Sequence, residues 1–263
     1  MKVNRNPKRT VLGVCLALCA LGAVLLSNAA ADTVKIGNLV ITIDGQISPK
    51  KLPKQTPAPI TLSLDGTLST EDGSHPPALQ TLDLEFDRHG HLNTKGLATC
   101  TPAKLQSTLT SQAKKACGDA LVGTGRVSAE IAFPEQAPFP ASGPLLIFNG
   151  APKGGKQVLI FHVYAHVPAP TTFVTTAVIS KQAGKYGTVA KVAIPTIVSG
   201  QGSLTSFEAK LQKTWTYKGQ KQNLLLASCP TGTLYAHGEF AFADGTRASG
   251  DVVRPCVPGA DGG

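Results

Sequence analysis

Leu82-Asp83-Leu84-Glu85-Phe86-Asp87, followed by Arg88-His89-Gly90, decides how this chain folds. Apolar and acidic residues alternate with a period of two, the pattern of a strand with one face on a core and the other in water. Working outward, the alternation recurs at Ile60, Leu62, Leu64 and Leu68, and again at Val127, Ala129, Ile131 and Phe133. It returns at Leu159, Phe161, Val163 and Ala165, at Phe207, Ala209 and Leu211, and at Leu234, Ala236, Phe240 and Phe242. Asp65-Gly66, His89-Gly90, Gly154-Gly155, Lys218-Gly219 and Asp244-Gly245 read as turns between such runs. Strands and turns without long helices predict an all-β fold: an antiparallel β-sandwich or a partly open barrel.

The ends of the chain read differently. Lys2, Arg5, Lys8 and Arg9 precede an uncharged stretch from Val11 to Leu26, and Ala29-Ala30-Ala31 supplies small residues at a cleavage site. This is the layout of a secretory signal peptide over residues 1–31, and it predicts a secreted or cell-envelope protein. Cys15 and Cys19 lie inside the apolar stretch behind Val14 and Leu18, which does not fit a lipidated cysteine. Cleavage would lower the formal charge from +9 to +5, because all four residues lost are basic. Residues 32–256 read as a single β-rich domain and 257–263 as a flexible tail. Pro-rich stretches at 49–59 and 134–144 read as ordered connections or edge segments.

Four cysteines remain beyond the signal, and an even count in an exported chain predicts disulfides. The sequential pairing, Cys100 with Cys117 and Cys229 with Cys256, is favoured. Asp244-Gly245 as a two-residue hairpin turn would place Cys256 opposite Thr233, and Pro230-Thr231-Gly232 can fold Cys229 back beside it. A straight helix over 101–116 would separate its ends by about 24 Å, too far for a disulfide. Thr101-Pro102 is a good helix start and Ser107-Thr108-Leu109-Thr110 a weak stretch, so two short helical turns closed by the bridge are expected. No C-x-x-C spacing favours a metal.

The residues that carry chemistry are few. His89-Gly90-His91 has the spacing of a metal pair but also reads as a turn. His162 and His166 share a strand face with Tyr164 and lie roughly 13 Å apart, which suits an ordinary polar face. Asp83, Glu85 and Asp87 form an acidic stripe, with neighbouring carboxylates about 7 Å apart, loosely compatible with a glycosidase pair or a weak calcium site. Trp215 and Tyr217 form a candidate stacking platform, although both continue the core side of Phe207-Ala209-Leu211. His237 and Glu239 lie on the polar side of the last hairpin. No G-x-S-x-G, H-E-x-x-H, P-loop or S-x-x-K motif occurs, so an enzyme is not favoured and no cofactor is expected.

The phrases Leu68-Ser69-Thr70-Glu71-Asp72-Gly73-Ser74 and Glu85-Phe86-Asp87-Arg88-His89-Gly90 resemble a group of uncharacterised secreted proteins from actinobacteria. Further matching phrases are Ala120-Leu121-Val122-Gly123, Phe133-Pro134-Glu135-Gln136-Ala137-Pro138, Phe148-Asn149-Gly150, Trp215-Thr216-Tyr217-Lys218-Gly219 and Gly238-Glu239-Phe240. The resemblance implies export and a shared domain, and it implies no activity. Without a Lys/Arg run interleaved with aromatics, nucleic acid is not an expected partner. A cell-wall polymer or another envelope protein is the expected one, with no membrane contact once the signal is gone. The sequence thus predicts a non-enzymatic exported binding or structural domain at or outside the cell envelope. The alternative is a secreted carbohydrate-binding or carbohydrate-active protein.

Overall fold

The computed structural model describes residues 31–261. The signal reading of residues 1–31 lies, except for Ala31, outside the described residues. Alternation of β-branched and apolar residues with polar ones gives β1 (Asp32–Ile36), β2 (Leu39–Ser48), β5 (Thr61–Thr70), β6 (Leu79–Asp87), β8 (Leu121–Ile131) and β9 (Phe139–Lys153). It also gives β10 (Lys156–Ala165), β11 (Thr171–Lys181), β12 (Tyr186–Ala193), β13 (Gly202–Leu211), β17 (Thr233–Phe242) and β18 (Arg247–Pro255). These form one twelve-stranded sheet in the order β1-β2-β5-β13-β8-β9-β10-β11-β12-β6-β17-β18. Every ladder in it is antiparallel. The edge strands β1 and β18 lie side by side without pairing, so the sheet curls into a barrel open along one seam.

The two ends of this barrel differ. At one end the strands are joined by the segments 37–38, 71–78, 132–138, 166–170, 194–201 and 243–246. At the other end the chain makes long excursions. There β4 (Ala58–Pro59), β16 (Leu225–Ala227) and β7 (Gly90–Leu92) form a small sheet across the barrel. The hairpin of β14 (Thr214–Tyr217) and β15 (Gln220–Asn223), and the parallel pair β3 (Lys51–Pro53) and β19 (Val257–Gly259), complete this closed end.

Core is laid down in several places. Leu39, Ile41 and Leu68 from β2 and β5 meet Leu79, Phe240 and Phe242 from β6 and β17, so the lobe beside the seam is solid. Leu52, Ala227, Cys229 and Cys256 form a second cluster beneath the closed end. Outside the barrel wall, α1 (Pro102–Leu105) and α2 (Thr110–Cys117) pack Leu105 and Ala113 onto Leu146, Phe148 and Ile160. Both expected disulfides form, with Cα separations of 5.6 Å for Cys100–Cys117 and 6.1 Å for Cys229–Cys256. The 101–117 segment is the expected broken helical excursion, interrupted at Ser107, whose φ is 56°.

Several expectations need correction. Asp65-Gly66 is not a turn but lies inside β5. Gly66 stands there because the Phe207 ring lies across it, and a Cβ would fall 2.2 Å from that ring. The last hairpin is shifted by one residue. Phe242 and Thr246 bracket a three-residue loop with Gly245 at φ 90°, so Pro255 rather than Cys256 faces Thr233. Val257–Gly259, expected as tail, is β19. The Asp261 carboxylate beyond it accepts the Gln55 and Thr56 amides. Trp215 and Tyr217 do not continue β13, because the chain leaves the barrel after Leu211 and starts a separate hairpin.

Candidate functional site: an apolar lumen

A sheet of twelve strands encloses more space than side chains can fill, since barrel width grows with strand number and eight strands already suffice for a filled interior. The solid lobe by the seam takes part of this space. The rest is a cavity of about 350 Å³, within the size range of small-molecule sites. Its wall is built from the inward members of the alternating runs: Leu62 and Leu64, Val127 and Ala129, Phe161 and Val163, Phe173, and Phe207. Each of these except Ala129 is large and apolar, and all eight are only half-buried. Their counterparts Ile41 and Leu68 in the solid lobe are 1 % and 2 % exposed. Alternation therefore created two different interiors, one packed and one hollow.

The lumen reaches the surface at the open end. Val167, 45 % exposed, together with Pro168 and Thr171, continues the apolar wall outward, and Ile197 and Val198 face it from the next connection. At the closed end the wall is the β4-β16-β7 sheet, including Leu225, Leu226 and the exposed His91. Apolar inside and polar outside is the reverse of a membrane-spanning barrel.

The charged groups of this wall are already engaged. The buried Asp87 carboxylate accepts the Tyr235 and His89 amides and pairs with the His89 ring at 2.7 Å. Arg254 donates to Asp44, to the Gly45 carbonyl and to Asp32. Thr175 spends its hydroxyl on the Ala193 carbonyl. What the lumen offers a guest is apolar contact.

The residues singled out by sequence are dispersed over the molecule and form no common site. In the acidic stripe, Asp83 pairs with Lys191, Glu85 accepts from Gln182 and Asp87 is held as above. The three carboxylates are thus partnered one by one rather than set opposite each other, Asp83 and Glu85 on the sheet face and Asp87 buried in the lumen wall. Trp215 donates its indole N–H to the Lys95 carbonyl, and the Tyr217 ring lies against Gly96. Both rings pack down onto the 93–99 loop. His89 belongs to Asp87, and no cluster of three metal-ligating side chains occurs among the described residues. His162 is not on an open polar face: it is fully buried under the helical excursion, where Nε2 meets the Thr108 carbonyl at 3.0 Å. Burial lowers its pKa, a shift only partly offset by that bond. His166 remains exposed. On the outer wall His237 and Tyr186 both bind Asp251, and these hydrogen bonds lower its pKa. Glu239 lies 3.9 Å from the same imidazole.

One constellation escaped the sequence because its members are far apart. Ser203 Oγ lies 3.0 Å from His75 Nε2, and His75 Nδ1 lies 2.7 Å from Glu130. The order is that of a hydrolytic triad. Ser203, however, is 2 % exposed on the outer wall, beneath the 71–78 connection. No carbonyl carbon can approach that hydroxyl, and the bonds serve to pin the connection to β8 and β13.

Charge is segregated along the barrel axis. The closed-end connections carry Lys50, Lys51 and Lys54 between β2 and β5, Arg88 and Lys95 after β6, and Lys153 and Lys156 at the β9–β10 turn. Lys181 and Lys185 flank the β11–β12 turn, and Lys213, Lys218 and Lys221 lie between β13 and β16. The acidic residues in these connections are Asp119 and Asp261. The open-end connections hold no lysine or arginine, but carry Glu71, Asp72, Glu135 and Asp244.

No protein-family model, curated protein or solved structure matches the chain.

Proposed function

We propose that the chain is a non-enzymatic, exported binding protein that carries an apolar ligand, such as an alkyl or isoprenoid chain, in the lumen of its barrel. The observation that carries this reading is the hollow apolar interior, whose large side chains are left half-buried beside a lobe that is fully packed. Leaving such surface uncovered forgoes about 25 cal/mol for each Å², and a guest recovers it. Export is supported by the charged and apolar pattern of residues 1–31, and the two disulfides suit an oxidising compartment. With no free charge in the wall, the ligand is held by its chain and any polar end rests at the open rim. Titration with alcohols of increasing chain length tests this. Affinity should rise about fourfold per methylene, corresponding to about 0.8 kcal/mol, until the lumen is full. Affinity independent of chain length would defeat the proposal.

A further inference from the structure

We infer that the closed end of the barrel is a docking face for an anionic lipid bilayer, whatever the lumen holds. Twelve lysines and arginines from five separate connections converge on this end against two carboxylates, Asp119 and Asp261. The Asp261 carboxylate is already engaged by the Gln55 and Thr56 amides. All twelve except the half-buried Lys213 are exposed. None of the twelve has a carboxylate within ion-pair distance among the described residues, whereas Lys35 and Lys191 elsewhere on the barrel do. Their positive potential is therefore not cancelled locally, and at physiological salt it reaches about 8 Å into solvent.

Three observations favour a bilayer over a soluble polyanion. Eleven of the twelve are lysines, mobile point charges suited to a diffuse anionic plane rather than to one bidentate phosphate. The charges come from connections distributed around the barrel end, and the aromatic rings of the β14–β15 hairpin, Trp215 and Tyr217, pack onto the 93–99 loop instead of standing out to stack on a polymer. Val257, 53 % exposed, sits in register with Lys51 and gives the face an apolar side chain to place among headgroups. Docked this way, the open rim with its acidic flanks points away from the membrane. The contact is peripheral, and it revises the expectation that membrane contact ends with the signal.

Vesicle co-sedimentation of the 32–263 chain, which carries every described element, tests the inference. The comparison is between phosphatidylcholine vesicles and vesicles containing roughly a third phosphatidylglycerol, at low and high salt. Binding to the anionic vesicles is expected, falling steeply with salt. Each closed-end lysine replaced by glutamate, in the set Lys50→Glu, Lys54→Glu, Lys153→Glu and Lys218→Glu, should lower the partition coefficient by at least about fivefold. Replacing wall cations of the same sign, Arg126→Glu and Lys210→Glu, should change it far less, and circular dichroism would show that both sets fold. Equal binding to neutral vesicles, equal losses from the wall variants, or retention on soluble polyphosphate without vesicle binding would each overturn it.

Discussion

Arg254 ties β18 to β2 across the one place where the barrel wall has no backbone ladder. Its Nη2 lies 2.6 Å from the Asp44 carboxylate, its Nε donates to the Gly45 carbonyl, and its Nη1 reaches Asp32 on β1. The guanidinium is 11 % exposed and Asp44 20 %. Beside it Val34 nests over Gly250, where a Cβ would come within 2.7 Å of that side chain. The seam is thus closed by side chains instead of hydrogen-bonded strands.

Arg254→Met should therefore destabilise the barrel by about 2–4 kcal/mol, since it leaves two carboxylates at a partly buried site without their cation. Urea unfolding followed by circular dichroism reads this directly. The pH dependence has a defined sign. Burial pushes the Asp44 carboxyl up, but hydrogen bonds from Gln46 and Arg254, with the charge of Arg254, outweigh it and hold the pKa below the usual value. A depressed carboxylate contributes stability above its unfolded pKa of 3.8 and loses it as pH falls through the folded value. In Arg254→Met two of the four causes that lower the pKa are gone, so the stability lost between neutral and acid pH should be smaller than in the parent.

His162 gives a second handle on acid stability, of the same sign but in a higher pH window. Its folded pKa lies below the unfolded 6.5 because burial disfavours the imidazolium. The unfolded chain then binds more protons between these two values, so stability rises with pH through that window and is lost as pH falls below about 6.5. His162→Gln should flatten this part of the profile while leaving the more acidic, Asp44-dependent part intact. Urea midpoints at pH 7 and pH 5 check it, and an unchanged slope in the variant would exclude His162 as the cause.

The two disulfides should differ in what they protect. Each closes a short loop, with sequence separations of 17 and 27, for which chain entropy gives about 3–4 kcal/mol. Cys100–Cys117 holds an excursion that lies on the outside of the wall, so Cys100→Ala with Cys117→Ala should raise hydrogen exchange mainly over 101–120. Cys229–Cys256 pins the closed end, and its removal should lower the global unfolding midpoint. Non-reducing peptide mapping that joined Cys100 to Cys229 or Cys256 would contradict both expectations.

The alternation around Leu82–Asp87 made the strands and their inward faces legible, and the disulfide pairing followed from local geometry. The hairpin register did not. A two-residue Asp-Gly turn would put both Asp244 and Gly245 at positive φ, whereas only Gly245 takes one here. Gly66 looked like a turn because the ring of Phe207, distant in sequence, is what requires it. His162 looked solvated because the helices that cover it come from residues 102–117. Most important, Leu64 and Leu68 have the same pattern in the sequence, yet one lines a cavity and the other a packed lobe. That difference depends on how many strands the barrel closes with, which no single segment encodes. The basic closed end was hidden for the same reason: its lysines lie in short, separate connections.

The most direct measurement of the central claim is a fluorescence titration with N-phenyl-1-naphthylamine, a neutral dye that brightens in apolar surroundings. The hollow-barrel account predicts one saturable site in the parent protein, competed off by a long-chain alcohol. It also predicts the loss of that site in Ala129→Trp, whose indole would occupy the lumen with the fold preserved. Absence of saturable binding in the parent, or equal binding by the two proteins, would contradict it.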